Sequence, residues 1–326
     1  MLPAKIRATP SDFVVTEDLT LDFSGDGEHD FLWVEKIGAN TQWVAERLAE
    51  YAGVPARDVG FAGLKDRHAI TRQWFSVRRA TAKGCNWGDF SAAGVTVIEQ
   101  RRHSRKLRRG AHRGNSFRIA LRADALASYG DELAERLAHI EAEGVPNYFG
   151  EQRFGRERGN IALSRALFAG RRMSRKQRGI ALSAARSLLF NEILDVRVGQ
   201  GTWNRILPGE LANLDGSGSV FAVDSVTPDL EARCAEQDIH PSGTLWGIGA
   251  PRAAGEVAEI ERQVAARRDD MTRGLCAANV EASSRPLRLR VAGLRWVIEQ
   301  EVLWLEFSLG RGGFATVVLR EIVSAG

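Results

Sequence analysis

The stretch of the sequence best suited to chemistry is Gly63-Leu64-Lys65-Asp66-Arg67-His68, which places one carboxylate between two cations. Val59 and Phe61 precede it and the β-rich residues 70–77 follow, so the pattern predicts a strand, a sharp glycine-containing turn and a second strand. The flanking cations favour the ionised form of Asp66. An ionised and well-positioned aspartate can act as nucleophile, base or electrostatic stabiliser.

The same turn has a second interpretation, a solvated cluster of charges without a catalytic part. Carboxylates beside charged partners mark functional sites only statistically, because structural ion pairs produce the same pattern. The tripeptide Lys-Asp-Arg by itself therefore leaves both interpretations open.

The elements that must position this turn are predicted by hydrophobic periodicity. Residues 5–19 and 31–37 alternate as strands do, and Glu17 lies on the apolar face of the first. Residues 41–51 have helical spacing and stop at Gly53. The same patterns predict strands at 95–99 and 115–122, helices at 124–143, 180–196 and 255–271, a hairpin over 286–309, short elements over 199–250, and either strand or helix over 314–322.

Length and composition indicate about two domains of a globular protein, since the chain has 326 residues, of which 44% are hydrophobic and 26% charged. Cys85, Cys234 and Cys276 are far apart, which argues against a zinc site or a disulfide framework and fits the reducing cytoplasm. Neither a signal peptide nor a membrane-spanning run is evident. We also expect a monomer, because no large apolar helix face stands out.

The motifs that bind common cofactors are missing. The sequence has no GxxxxGK[ST] phosphate loop, no GxGxxG after a strand, and neither HExxH nor the HxE…PCxxC pattern of zinc deaminases. We therefore predict chemistry without cofactor or metal.

Arginine dominates the basic residues: 39 of the 45 are arginine and six are lysine. Residues 101–113, here called the basic arm, hold seven Lys or Arg, two His and no acid. Such a block is either a solvated loop or an arm that binds a polyanion, and uncompensated repulsion among its cations favours phosphate binding. The predicted RNA-binding residues of the arm are Arg101, Arg102, Arg105, Lys106, Arg108, Arg109 and Arg113.

A second candidate segment is residues 146–155, where aromatic residues, glycine and arginine are packed too densely for a plain linker. Residues 153–178 then hold nine Lys or Arg against one acid, Glu157. Arg153 and Arg156 are predicted to bind RNA on this ground.

Five segments in this order resemble the TruD family, the tRNA pseudouridine synthase D proteins. They are FVVTEDL (13–19), GLKDRHAITRQ (63–73), GNSF (114–117), PNYFGEQRFG (146–155), and GFAT with LRE (313–316 and 319–321). The second and fourth are highly specific, whereas the segment 199–285 carries no motif that can be aligned.

The resemblance implies an α+β protein with a mixed, mostly antiparallel catalytic sheet of pseudouridine-synthase type and a family-specific α/β insertion domain. The catalytic domain would comprise residues 1–150 and 284–326, and the insertion residues 151–283. The two parts would form a V-shaped cleft lined by basic segments. The implied activity is that of an isomerase that converts a uridine of transfer RNA, uridine 13 in the D arm, to pseudouridine.

The resemblance also implies site residues. The essential aspartate of the family falls on Asp66, and Lys65 would hold its charge. The supporting residues would be Glu17, Lys65, Asn115, Phe117 and Phe314, of which the two phenylalanines are candidates to stack on the target base. From the residues alone, a core position is the favoured interpretation of Phe117.

Two other functions compete with this interpretation. A tRNA-binding protein that helps RNA to fold, without significant catalysis, would use the same arginine-rich surfaces. A nuclease or phosphoryl-transfer enzyme would need a carboxylate cluster for metal ions, whereas Asp66 stands alone among cations.

Overall fold

The computed structural model describes residues 2–81, 84–124 and 126–323. The chain forms two compact units, of which unit 1 comprises Met1–Leu137, Val291–Gly313 and Ile322–Gly326, and unit 2 comprises Ala138–Arg290 and Phe314–Glu321. The domain limits expected from the sequence stay a prediction. In the described ranges, every helix is too short or too polar to cross a membrane.

The strands and helices account for most of the chain. In sequence order the strands are β1 (Lys5–Ile6), β2 (Phe13–Asp18), β3 (His29–Ile37), β4 (Val59–Phe61), β5 (Ile70–Arg78), β6 (Val95–His103), β7 (Gly114–Arg122), β8 (Val145–Pro146), β9 (Glu210–Leu214), β10 (Val220–Val223), β11 (Ile239–Leu245), β12 (Ser283–Pro286), β13 (Arg288–Leu289), β14 (Ala292–Glu299) and β15 (Val302–Gly310). The helices are α1 (Thr41–Ala52), α2 (Gly130–Glu143), α3 (Gly159–Phe168), α4 (Arg175–Gly199), α5 (Pro228–Ala235), α6 (Gly255–Arg267), α7 (Asp269–Ala277) and α8 (Ala315–Arg320).

Unit 1 is built on a nine-stranded sheet in the order β14-β15-β7-β2-β5-β3-β6, with β1 added to β7 and β4 to β5. Strands β2 and β5 are parallel, and the other pairs of this sheet are antiparallel. The prediction of an α+β protein with a mixed, mostly antiparallel sheet is therefore confirmed. The central position of β2 and β5 matters for the site, because Glu17 lies on one and the Asp66 turn leads into the other.

Helix α1 covers one face of this sheet. Val44 and Leu48, four residues apart, are completely buried and pack with Phe75 of β5. Gly53 ends the helix in the left-handed conformation with φ of +66°, which a residue with a side chain adopts at a cost. The helix and its stop agree with the pattern seen in the sequence.

Unit 2 combines helices with a four-stranded sheet in the order β10-β9-β11-β12 and a short β13-β8 pair. Its central helix is α4, which buries Leu189, Phe190 and Ile193 in the core. A capping box between Ser174 and Gln177 begins α4 five residues before the predicted start, because it satisfies free amide groups of the first turn.

Several predicted boundaries were wrong. Residues 101–103 continue β6 rather than begin a loop, because they pair with β3. The predicted helix 124–143 is regular only from Gly130, with a 3₁₀ turn over Leu126–Tyr129, and Ala125 lies outside the described residues. The helix expected over 255–271 breaks at Arg268, and residues 288–289 pair with β8 rather than join the hairpin β14–β15.

Candidate active site

Asp66 lies in the turn between β4 and β5, here called the Asp66 loop (residues 62–69). The side chain of Asp66 is 44% exposed, so its carboxylate faces solvent. Its Oδ2 accepts a hydrogen bond from Nη2 of Arg7 at 3.0 Å, and the Arg7 guanidinium also stacks on the ring of Phe13 at 4.0 Å. The cation that contacts the carboxylate is therefore Arg7, which precedes Asp66 by 59 residues.

The buried ammonium of Lys36 holds the backbone of the Asp66 loop by hydrogen bonds. Lys36 is completely buried on β3, and its Nζ donates to the backbone carbonyl oxygens of Ala39 and Asp66, both at 2.8 Å. Burial lowers the pKa of Lys36 to about 8, partly offset by the charge of Asp66, while Lys65 lowers it further. A buried cation thus holds the backbone of Asp66, whose carboxylate is exposed.

Two further buried side chains fix the same loop. Thr41, the first residue of α1, accepts a hydrogen bond from the amide of Lys65 at 3.0 Å and donates to Oε1 of Gln73. Gln73 in turn donates to the carbonyl oxygen of Gly63 at 3.1 Å. Because these bonds reach both the helix and β5, the loop is tied to rigid elements on either side.

Lys65 does not contact the Asp66 carboxylate, although the two are neighbours in sequence. Its Nζ donates to Oε1 of Glu17 at 2.8 Å, and both side chains are buried. The other carboxylate oxygen of Glu17 accepts the backbone amide of Trp74 on β5. Glu17 and Lys65 thus form a satisfied internal ion pair that joins β2 to the Asp66 loop.

Asn115 and Phe117 lie beside Glu17 on the same face of the sheet. Asn115 is the antiparallel partner of Glu17, and its buried Oδ1 has no hydrogen-bond partner among the described residues. Phe117 is buried and stacks on Phe307 at 5.4 Å, with Phe13 against its edge at 6.2 Å. Phe117 is therefore a core residue, whereas Asn115 keeps a buried acceptor without a partner beside Glu17.

The end of the basic arm folds back onto the Asp66 loop. The amide of Gly110 donates to the carbonyl of Ala62 at 2.8 Å. His112 lies against Gly63 and Lys65, and burial together with the Lys65 charge lowers the pKa of its imidazole. His112 Nδ1 is buried without a hydrogen-bond partner in the described part of the chain. The arm thus places an imidazole whose protonation is disfavoured beside the Glu17–Lys65 pair.

Comparison with known proteins decides the family. The family model described as "tRNA pseudouridine synthase D (TruD)" matches residues 2–169 and 164–322 of the chain. The chain belongs to this family. The family and the isomerase class predicted from the motifs are thereby confirmed.

Relatives and one solved structure support the assignment to the TruD family. The "tRNA pseudouridine synthase D" of Methylococcus capsulatus is 46% identical over 322 residues, covering 98% of this chain and 90% of that protein. The protein of the same name from Aeromonas salmonicida is 43% identical over 321 residues, with the same coverage. A crystal structure from Methanosarcina mazei, described as a candidate TruD, aligns with a TM-score of 0.78 at 19% identity, covering all of this chain and 94% of that one. The structural likeness shows the fold.

The remaining predicted site residue of this TruD chain, Phe314, belongs to unit 2. It is the N-cap of α8 and its side chain is 43% exposed. An exposed phenylalanine at a helix end is free to stack on a base, unlike the buried Phe117. The structure thus separates the two aromatic candidates by their burial.

Some cations of the basic arm have partners in the structure that the sequence did not indicate. Arg101 pairs with Glu99 at 2.5 Å, and Arg102 donates to the carbonyl oxygen of Gly27. The Arg109 guanidinium covers the Phe61 ring at 3.5 Å. The more exposed members of the arm are Arg101, Arg105, Lys106, Arg108, Arg109 and Arg113.

A pocket of about 450 Å³ opens between the basic arm and the start of α1. Arg57, Lys106, Arg108 and Arg109 line it together with Phe61. Four cations around an aromatic side chain can hold an anionic group.

The other predicted RNA-binding residues lie in unit 2 and differ in exposure: Arg156 is almost fully exposed, whereas Arg153 is half-buried.

The interpretation of the motifs missed Arg7, Lys36, Thr41 and His112. The sequence did contain a signal for Lys36. A lysine inside the apolar strand FLWVEKI is unusual, because a buried ammonium needs a hydrogen-bonding partner. The partnership between Arg7 and Asp66 had no local signal, since it depends on a tertiary contact between the N-terminal segment and the Asp66 loop.

Proposed function

We propose that this TruD-family chain isomerises a uridine of transfer RNA to pseudouridine, with Asp66 as its catalytic carboxylate and uridine 13 of the D arm as its target. The observation that carries the proposal is the contrast at Asp66 between an exposed carboxylate and a backbone bonded to buried Lys36. A reactive group on a fixed backbone can meet a substrate without reorganisation.

The reaction needs only groups that this site offers. The C1′–N1 glycosidic bond breaks, the base turns, C5 bonds to C1′, the proton on C5 is lost and N1 gains a proton. A carboxylate near C1′ stabilises or traps the electron-poor sugar, or removes a proton from it. No electron acceptor or external group enters the balance, so the substrate RNA is the only partner required.

Recognition of the base rests on the remaining predicted residues. A uridine must leave its stack, which costs a few kcal/mol and is offset by contacts with the protein. Phe314 offers an exposed ring for stacking, and Asn115 keeps a buried Oδ1 that has no hydrogen-bond partner among the described residues. Glu17 and Lys65 support the loop through their ion pair.

The phosphates of the RNA are assigned to the exposed arginines. The basic arm and the segment 153–178 place many guanidiniums where they reach solvent. Arginine binds phosphate bidentately and is therefore suited to a polyanion. A transfer RNA substrate also leads us to expect a cytoplasmic protein, and we keep the expectation of a monomer.

The test is release of tritium from transfer RNA labelled at uridine C5. We expect release by the wild type, none by Asp66→Asn, and wild-type release by Asp22→Asn, which changes another exposed aspartate of unit 1. Mapping of the product should place pseudouridine at position 13.

Two results would contradict the proposal. Wild-type rates in Asp66→Asn would remove Asp66 from the chemistry. Tight binding of folded transfer RNA without any release would instead support the alternative of a tRNA-binding protein that helps RNA to fold.

A further inference from the structure

Two arginines of unit 2 lie over one aromatic ring, and a third is linked to them through neighbouring residues of α4 and β12. The guanidinium of Arg285 on β12 lies over the Phe149 ring at 4.2 Å, and that of Arg153 lies over the same ring at 5.2 Å. Arg153 donates to Ser183 Oγ on α4 at 2.9 Å. Arg186, one helical turn after Ser183, completes the group.

Arg186 connects α4 back to β12. Its Nη2 donates to Ser283 Oγ at 2.9 Å and to the carbonyl oxygens of Leu245 and Glu281. Ser283 and Arg285 are two residues apart on β12, so they lie on the same face of the strand. The three guanidiniums are thereby held by one helix, one strand and the 147–153 loop.

No carboxylate neutralises these three charges in the described part of the chain. The contacts found for Arg153, Arg186 and Arg285 are to neutral acceptors and to rings, and none of the three forms an ion pair within 4 Å. Other arginines of the same unit do have carboxylate partners. Arg197 is buried and pairs with Glu210 at 2.9 Å, and Arg268 donates two hydrogen bonds to Glu192.

The cluster has donors to spare. The Nε atoms of Arg186 and Arg285 are buried without hydrogen-bond partners. Burial, together with the charge of Arg153, lowers the pKa of Arg285 to about 10. Burial also lowers the pKa values of Arg153 and Arg186. Like charges, two of which have unpaired N–H groups, are stabilised when an anion binds beside them.

We propose that Arg153, Arg186 and Arg285 form a binding site in unit 2 for a backbone phosphate of the RNA substrate. The Phe149 ring is already occupied by two guanidiniums and by Phe190 at 5.5 Å, so the cluster suits a phosphate rather than a stacked base. This inference rests on the proposed function, since that function supplies the polyanion.

The experiment measures the dissociation constant of unmodified transfer RNA over a series of salt concentrations. Arg153→Gln, Arg186→Gln and Arg285→Gln should each weaken binding about tenfold, and each should reduce the salt slope by about 0.7–0.9 per lost phosphate contact. Arg262→Gln is the matched control, because Arg262 is an exposed arginine of α6 paired with Glu259. It should leave both the affinity and the slope unchanged.

A conservative variant separates charge from packing. Arg285→Lys keeps the cation but loses the planar stack on Phe149, so it should keep the wild-type salt slope. If the arginines only brace the fold, Arg285→Lys and Arg285→Gln will behave alike, with wild-type slopes, and the inference is overturned. In that case tritium release by the wild type would still uphold the proposed function. Binding of RNA by the wild type without salt dependence would overturn the phosphate site.

Discussion

The buried ammonium of Lys36 lies 2.8 Å from the backbone carbonyl oxygen of Asp66, while the carboxylate of the same aspartate faces solvent. The contact couples a strand of the sheet to the residue proposed to act on the substrate. A buried lysine bonded to carbonyl oxygens rather than to a carboxylate is costly for the fold, since its charge is desolvated. That cost is consistent with a role in positioning the loop.

Replacement of Lys36 by methionine should slow the reaction more than it weakens binding. Methionine keeps the length of the side chain but no longer donates to the carbonyl of Asp66, so the carboxylate loses its fixed position. We expect kcat for tritium release to fall at least about tenfold, with KM for transfer RNA within about threefold. Lys5→Met, at an exposed position on β1, should change neither. A rise in KM alone would contradict the positioning role.

The stability of the protein should depend on pH through Lys36. Its pKa is about 8 in the folded state against the ordinary 10.5, so between these values the unfolded chain binds a proton that the folded chain does not. The contribution of Lys36 to the free energy of unfolding therefore rises with pH across this window, by at most about 1.4 kcal/mol per pH unit. Urea denaturation at pH 7.5, 8.5 and 9.5 should show that the free energy of unfolding of the wild type increases relative to that of Lys36→Met. A constant difference would contradict the shift.

Removal of one partner of the Glu17–Lys65 pair should destabilise unit 1 strongly. Glu17→Gln leaves the buried ammonium of Lys65 without its counter-charge, which costs about 3–5 kcal/mol. The exposed pair Arg118–Glu306 on neighbouring strands is the control, and Glu306→Gln should cost less than about 1 kcal/mol. Denaturant unfolding measures both. Equal losses would mean that burial of the inner pair contributes little.

Phe117 and Phe314 should respond differently to replacement by alanine when stability and tritium release are both measured. Phe117→Ala empties a buried position stacked on Phe307 and should cost about 3–5 kcal/mol of stability. Phe314→Ala removes an exposed ring, so we expect a change of stability below about 1 kcal/mol and a clear loss of tritium release. A core-like loss of stability in Phe314→Ala would assign it to packing instead.

Much of the fold around the site followed from local patterns. The strand–turn–strand over residues 59–78 and the helix α1 with its stop at Gly53 agree with the periodicity and the glycines of the sequence. The errors occurred where pairing with distant strands overrode local character. Residues 101–103 look like a charged loop but continue β6, because β3 offers them a partner.

The partners of the charged residues were harder to anticipate, because they depend on sheet register. The sequence places Lys65 beside Asp66, and adjacency indicated that its charge would serve that carboxylate. The parallel pairing of β2 with β5 instead brings Glu17 to the Lys65 ammonium at 2.8 Å. Asp66 is left to Arg7, a residue of the N-terminal segment.

The family, and with it the mixed sheet and the candidate aspartate, could be predicted from the sequence, because ordered motifs are properties of short stretches of chain. The folded structure was needed to establish which cation contacts which carboxylate and that Lys36 holds the Asp66 backbone. It also showed that Phe117 is buried while Phe314 is exposed. These contacts join residues far apart in the chain. Their geometry is set by strand order and burial, which no local pattern contains.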